Sequence, residues 1–388
     1  MQIFARHYQT LEPLSIRVEG SRIRRVDPAW STNMTEWPLV APALFDLQIN
    51  GHGGTWFGGP SVTTDDVVKT LEPHFGFGIS RLCPTLITNS HEALATGFAA
   101  IRQACERHDW VDRMVPGCHL EGPYIASEDG PRGAHPLEHV RPADWSEFQK
   151  LQEASGQRIR LVTLAPEAEG AIDFIERAVD AGIVISIGHT AADPEQVTRA
   201  VDAGARLSTH LGNGAHGMLR RHPNYIWEQL GDSRLSASVI SDGYHLPASV
   251  LQTIIRTKGE MSTILTCDAA GLAGCPPGVY REGSVDVEIL DDGRIVIAGQ
   301  NQLLAGSSVE TDTCVREAVR LGGVSLATAI DMASRNPARL LGFEEVRLRR
   351  GSLADLVVFQ FDESSGMRIQ ATIGHGELRY GRLADDAV

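Results

Sequence analysis

The sequence predicts an α/β chain: a (β/α)8 TIM-like barrel carrying a small β-sandwich domain built from both chain ends. Three observations predict it. After the first forty residues, short β-branched or apolar runs alternate eight times with longer amphipathic stretches, the pattern of parallel strands joined by helices. Ionisable residues stand where several of these runs stop, as they do at the working face of such barrels. The two chain ends instead alternate in period two, with Gly-Ser and Gly-Arg turns and no helix between them.

The eight runs are 44–48, 80–84, 115–120, 160–164, 184–187, 206–209, 236–240 and 262–266. Amphipathic stretches at 91–107, 168–181, 194–203 and 247–258 read as connecting helices. Several start at Pro or after Asp and end near Gly, residues that suit the first and last positions of a helix. The alternating segments 16–26 and 351–360 assign the small β domain to 1–40 and 340–388, leaving 41–339 for the barrel. Residues 285–297 alternate around Asp292-Gly293, so a β-hairpin insertion is expected near 284–300.

At 388 residues and 42% hydrophobic content, the chain can bury a full core and exceeds one compact domain. Its net charge of −14 is spread along the chain, and no Lys/Arg cluster offers a nucleic acid a continuous footprint. No apolar run approaches the roughly 18–20 residues that cross a bilayer, and the opening residues lack the order of a signal peptide. A cytoplasmic protein without nucleic-acid or membrane partners is expected. The six cysteines show no C-x-x-C pair, which fits reduced thiols, so an expected metal uses nitrogen and oxygen ligands.

Four segments carry the chemistry: His119-Leu120-Glu121-Gly122-Pro123, Gly188-His189-Thr190, Thr209-His210-Leu211 and Thr266-Cys267-Asp268-Ala269. Each puts an ionisable group where an apolar run ends. Taken singly, each group reads as a solvated loop residue. Together, Glu121, His189 and His210 supply one oxygen and two nitrogens to a divalent metal and leave a fourth tetrahedral position open for water, as a catalytic zinc requires. Iron, manganese or cobalt would also accept these ligands. Asp268 stands where a carboxylate could take a proton from that water and pass it to a leaving amine; it could also be a further ligand. Asp242 and His245 follow the seventh run.

These segments, together with Phe45-Asp46-Leu47-Gln48-Ile49-Asn50-Gly51-His52-Gly53-Gly54 and Ser241-Asp242-Gly243-Tyr244-His245, resemble the N-acetylglucosamine-6-phosphate deacetylase family of the amidohydrolase superfamily, in that family's order. The closing Gly351-Ser352-Leu353-Ala354-Asp355-Leu356 resembles the superfamily's C-terminal β segment. The resemblance implies hydrolysis of an acetamide on a phosphorylated amino sugar, giving acetate and an amine. The superfamily's first strand commonly ends in His-x-His, which helps hold a second metal; Asp46 and Gln48 are taken as the corresponding positions. One metal per subunit is therefore expected, with Gln48 touching it at most through water.

Arg132-Gly133-Ala134-His135-Pro136 matches the family's Gly-x-His element, which assigns His135 to the acetamide carbonyl. Asn213 and Gly214 are expected beside the substrate, and Arg221, eight residues after Asn213, matches the family's phosphate-binding arginine with His245 as companion. The resemblance also implies a homodimer in which the arginine and histidine reach the neighbouring subunit's substrate. His52 could be an extra metal ligand and His216 and His222 substrate contacts, but all three read more readily as exposed loop residues, and His7, His74, His91, His108 and His375 as structural. Gly51-His52-Gly53-Gly54 and Gly212-Asn213-Gly214 lack nucleotide-binding spacing and permit tight turns instead. Two alternatives stay open: an amidohydrolase of another N-acyl amino sugar, N-acyl amino acid or cyclic amide, and a barrel without catalysis that serves as a binding module.

Overall fold

The computed structural model describes residues 1–30, 34–282, 285–298 and 300–383. Eight strands form one sheet: β1 Leu44–Ile49, β2 Ile79–Ile87, β3 Cys118–Glu121, β4 Ile159–Leu164, β5 Val184–Ile187, β6 Leu207–Ser208, β7 Ser236–Ile240 and β8 Thr263–Thr266. Each pairs in parallel with the next in chain order, which is the expected barrel. β5 and β7 match the sequence runs residue for residue; the others differ at their ends, where strand limits are least defined by pattern.

Helices alternate with the strands because their caps and stripes are written locally. Ser90 caps His91–Arg107 by accepting from the Ala93 N–H. Asp193 and Gln196 form a reciprocal capping box before Pro194–Asp202, with Pro194 at the first position. The helix expected over 168–181 starts later than its periodicity suggests, at Ala171, because Gly170 takes a left-handed backbone (φ +78°) that ends the preceding turn.

The sheet closes without a full ladder between β8 and β1. At the top of this seam the Asn50 N–H donates to the Ala269 carbonyl at 2.8 Å. Below it, buried Asp46 stands in for backbone pairing: its carboxylate accepts from Thr266 Oγ1, the Cys267 N–H and Thr311 Oγ1. At the base, Phe45, Leu47, Cys83, Leu161, Leu207 and Ile264 converge on Ala338 of helix Arg335–Leu340. The barrel is therefore plugged at its base by apolar packing, and its chemistry is confined to the other end.

The two chain ends build one seven-stranded sheet, in the order Glu377–Gly381, Gly366–Gly374, Leu356–Asp362, Leu39–Pro42, Gln2–His7, Pro13–Glu19, Arg22–Pro28. Leu39–Pro42 pairs antiparallel with Leu356–Asp362 on one side and parallel with Gln2–His7 on the other. The sheet rolls over its own core of Ile3, Ile16, Val18, Ile23, Val40, Leu356, Val358 and Ile373, and the Ile23 N–H donates to Ser352 O at 2.9 Å to tie the far edge back.

The expected hairpin is present as part of a larger insertion. Gly278–Glu282, Val285–Ile289, Ile295–Ile297 and Gln300–Leu304 form a four-stranded antiparallel sheet. Residues 284 and 299, near the ends of the expected hairpin, and 384–388 of the expected small domain lie outside the described residues. Among the described residues, no helix is long and apolar enough to cross a membrane.

Candidate active site

The interior above the apolar base is polar. His119 on β3 reaches Thr163 Oγ1 through Nε2 at 2.7 Å, Thr163 Oγ1 meets Thr209 Oγ1 at 2.7 Å, and Ser186 Oγ closes on the same Thr209. Burial pushes the His119 imidazole down to about 4, so it is a neutral hydrogen-bonding group. This hydroxyl layer is the floor on which the end-of-strand residues stand.

Glu121 is the last residue of β3. His189, His210 and Asp268 follow the ends of β5, β6 and β8, and all three have left-handed backbones, with φ of +50°, +30° and +52°. A non-glycine residue there costs roughly 1–2 kcal/mol, and such outliers persist where surrounding contacts impose them. Each turns the chain out of its strand while the side chain stays aimed across the barrel.

The result is a convergence of donors. His189 Nε2 lies 3.2 Å and His210 Nε2 3.1 Å from Glu121 Oε1, and the two nitrogens are 3.1 Å apart. His189 Nδ1 is 2.9 Å from the Pro131 carbonyl oxygen, which only accepts, so Nδ1 carries the proton and Nε2 presents a lone pair. One oxygen and two nitrogens turned on a single point, all buried, fit a divalent cation, and one proton alone would leave acceptors facing each other.

Asp268 stands beside this triad, held by two amides. Gln48 Nε2 donates to Asp268 Oδ1 at 3.0 Å and to Glu121 Oε1 at 2.8 Å, bridging the carboxylates directly, and Asn50 Nδ2 donates to the same Asp268 oxygen at 2.8 Å. Burial and the nearby Glu121 charge push the Asp268 carboxyl up to about 6. The residues that reach the site are thus Gln48 and Asn50, whereas Asp46, taken from the resemblance as a His-x-His counterpart, does not. An irregularity in β1 pairing between Asp46 and Ile49 shifts the register, and a one-residue shift exchanges the faces of the residues beyond it. Asp46 consequently turns into the seam.

His135 is 4% exposed, with its ring 4.2 Å from that of His189 and Nδ1 2.8 Å from Thr88 Oγ1. With the hydroxyl donating, Nε2 carries the proton. Burial and the neighbouring His189 push the imidazole down to about 3, so it acts as a neutral donor. Gly214 packs on the other side: a Cβ there would meet His189 Nδ1 at 2.9 Å, and its φ is +56°. Asn213 folds back onto the His210 carbonyl.

His245 Nδ1 is 2.7 Å from Asp242 Oδ2, and the Asp242 carboxylate also accepts the His245 and Tyr244 N–H groups. Arg221 is different: it is exposed, in an exposed 219–222 stretch, and its guanidinium has no partner among the described residues. His216 is fixed between Tyr225 and Glu128, and His222 is exposed.

Sequence reasoning missed Asn50, Thr88 and the Pro131 carbonyl. The first was legible only with the β1 irregularity known; the other two carry no chemical signature until the loops are folded.

The arrangement has known counterparts. The amidohydrolase family profile matches residues 39–379. The chain belongs to the amidohydrolase family. This amidohydrolase is 32% identical over 374 residues to N-acetylgalactosamine-6-phosphate deacetylase of Escherichia coli O157:H7, covering 95% of each chain. It is 33% identical over 354 residues to human N-acetylglucosamine-6-phosphate deacetylase, covering 88% of this chain and 83% of that one. The solved structure of N-acetyl-D-glucosamine-6-phosphate deacetylase from Mycobacterium smegmatis superposes with a TM-score of 0.86 at 29% identity, covering 97% of this amidohydrolase and 99% of that chain.

Proposed function

We propose that this amidohydrolase removes the acetyl group from N-acetylglucosamine 6-phosphate, giving glucosamine 6-phosphate and acetate. The observation that carries the reading is the buried Glu121, His189 and His210 triad with Asp268 held beside it by Gln48 and Asn50, in a chain that spans nearly the full length of deacetylase relatives. The three triad side chains would hold one divalent ion per subunit, zinc by their donor chemistry, with iron, manganese or cobalt also compatible. When bound, such an ion polarises the acetyl carbonyl and makes water a stronger acid.

The remaining steps belong to the chain. Asp268 takes a proton from the attacking water as its oxygen bonds to the carbonyl carbon. The His135 Nε2–H donates to the oxygen on which negative charge builds. Asp268 then delivers its proton to the sugar nitrogen as the C–N bond breaks, which restores the carboxylate. Gln48 and Asn50 fix Asp268 in one orientation throughout. Asn213 and Gly214 line the sugar, while Arg221 and His245 bind the phosphate. The free Arg221 guanidinium supports a homodimer in which it reaches a neighbouring subunit's site, and we place the enzyme in the cytoplasm.

A second reading, the N-acetylgalactosamine 6-phosphate epimer, is favoured by the relative that covers 95% of both chains. Acetate release from both epimers, each with and without phosphate, tests the proposal. Turnover is expected to be fastest on phosphorylated N-acetylglucosamine. Equal rates with and without phosphate would remove the phosphate assignment, and preference for the galacto epimer would select the second reading.

A further inference from the structure

A second convergence of metal-binding donors lies beside the seam between β1 and β8. His52 comes from the short hairpin after β1, His74 from the 3-10 turn Glu72–Phe77, and Glu310 from the position preceding helix Thr311–Arg320. One ligand atom from each lies within 4.8 Å of the others. His52 Nδ1 is 2.9 Å from Glu310 Oε1, and His74 Nε2 is 3.6 Å from Glu310 Oε2. Cys267 Sγ lies 3.9 Å from that second oxygen. Around a tetrahedral zinc, with bonds of roughly 2.0–2.3 Å, neighbouring donors stand about 3.3–3.5 Å apart, and these separations bracket that value.

His74 decides the matter. Its Nδ1 is 3.2 Å from the Leu71 carbonyl oxygen, which only accepts, so Nδ1 carries the ring proton. In the neutral ring Nε2 is then a bare lone pair. That atom is fully buried, has no hydrogen-bond partner among the described residues, and faces a carboxylate. Two acceptors opposed in a dry interior are costly unless a cation lies between them.

We infer that His52, His74 and Glu310 form a second, structural divalent-metal site. Two imidazole nitrogens and a carboxylate oxygen are donors that zinc accepts. His52 is 13% exposed and gives an ion its entry. The bound ion would tie the hairpin after β1 to the 3-10 turn before β2 and to the start of helix Thr311–Arg320. Asn50, which holds Asp268, lies two residues before His52. The inference stands apart from the identity of the substrate.

The test strips the full-length protein with chelator, reloads it with zinc alone and counts zinc per chain by elemental analysis. Wild type is expected to hold two, His52→Asn one, His210→Asn one, and the double variant none. A wild type that holds one zinc, lost in His210→Asn, overturns the inference, as does His52→Asn retaining two. Cobalt(II) titration of the wild type gives a readout that needs no variant: a second tightly bound equivalent with a tetrahedral spectrum supports the site, and saturation at one equivalent overturns it.

Discussion

Among the described residues, two clusters each join two histidines and one glutamate, and they are built in opposite ways. Glu121, His189 and His210 stand at the ends of three barrel strands, facing the axis, with His189 fixed by the Pro131 carbonyl and Asp268 by two amides. His52, His74 and Glu310 come from a hairpin, a 3-10 turn and a residue preceding a helix, and they meet behind the barrel wall. In the first, the rigid sheet sets the geometry and an adjacent base supplies chemistry. The second has no such base among its donors, and its geometry depends on how the outer elements pack. On the proposals made above, the same donor types serve a reactive centre in one place and a fastening in the other.

Five measurements break or sharpen that contrast. Replacing a strand-end ligand has the largest expected effect: Glu121→Gln or His210→Asn removes the cation and takes deacetylation below detection, read by elemental analysis together with acetate release. Asp268→Asn should keep the metal while turnover falls about 10³-fold, the scale of a lost general base; normal turnover would remove Asp268 from the mechanism. His135→Asn should cost roughly 10²-fold in kcat with little change in KM, as for the loss of an oxyanion donor. Asn50→Ala and Gly214→Ala, which disturb Asp268 and the His189 ring without touching a donor atom, should each lower kcat or metal affinity about 10–100-fold. His52→Asn should lower Tm by several degrees in the zinc-loaded protein while leaving the chelated protein unchanged.

The pH profile refines the role of Asp268. Its folded pKa is raised to about 6, and the working form is the carboxylate, so activity is present above that value and falls as pH drops through it. A nearby cation favours the carboxylate and moves the limb lower. The acid limb of kcat/KM should therefore lie at or below about 6, and a limb above 7 would assign it to another group.

The reactive cluster was largely legible because a barrel places its chemistry where apolar runs end, and Glu121, His189, His210 and Asp268 each follow such a run. The eight strands were legible for the same reason. Asn50 was not, because the irregularity in β1 changes which residues share a face, and the resemblance alone points to Asp46 and Gln48 instead. The left-handed backbones of His189, His210 and Asp268 were also invisible, since nothing in those residue types announces the conformation. The second cluster was illegible for a different reason: His52 read as exposed beside glycines, His74 as structural, and Glu310 as nothing in particular. Donors brought together by tertiary packing leave no spacing to read.

The terminal sheet has a consequence for biosynthesis. Leu39–Pro42 must wait for Leu356–Asp362, more than three hundred residues later, before its second edge is covered. A ribosome therefore exposes an apolar β edge during nearly the whole of translation, and contacts so distant along the chain form slowly. Premature stops near the 3′ end of the message, even ones that spare every barrel strand, should yield protein that sticks to itself instead of a shortened enzyme.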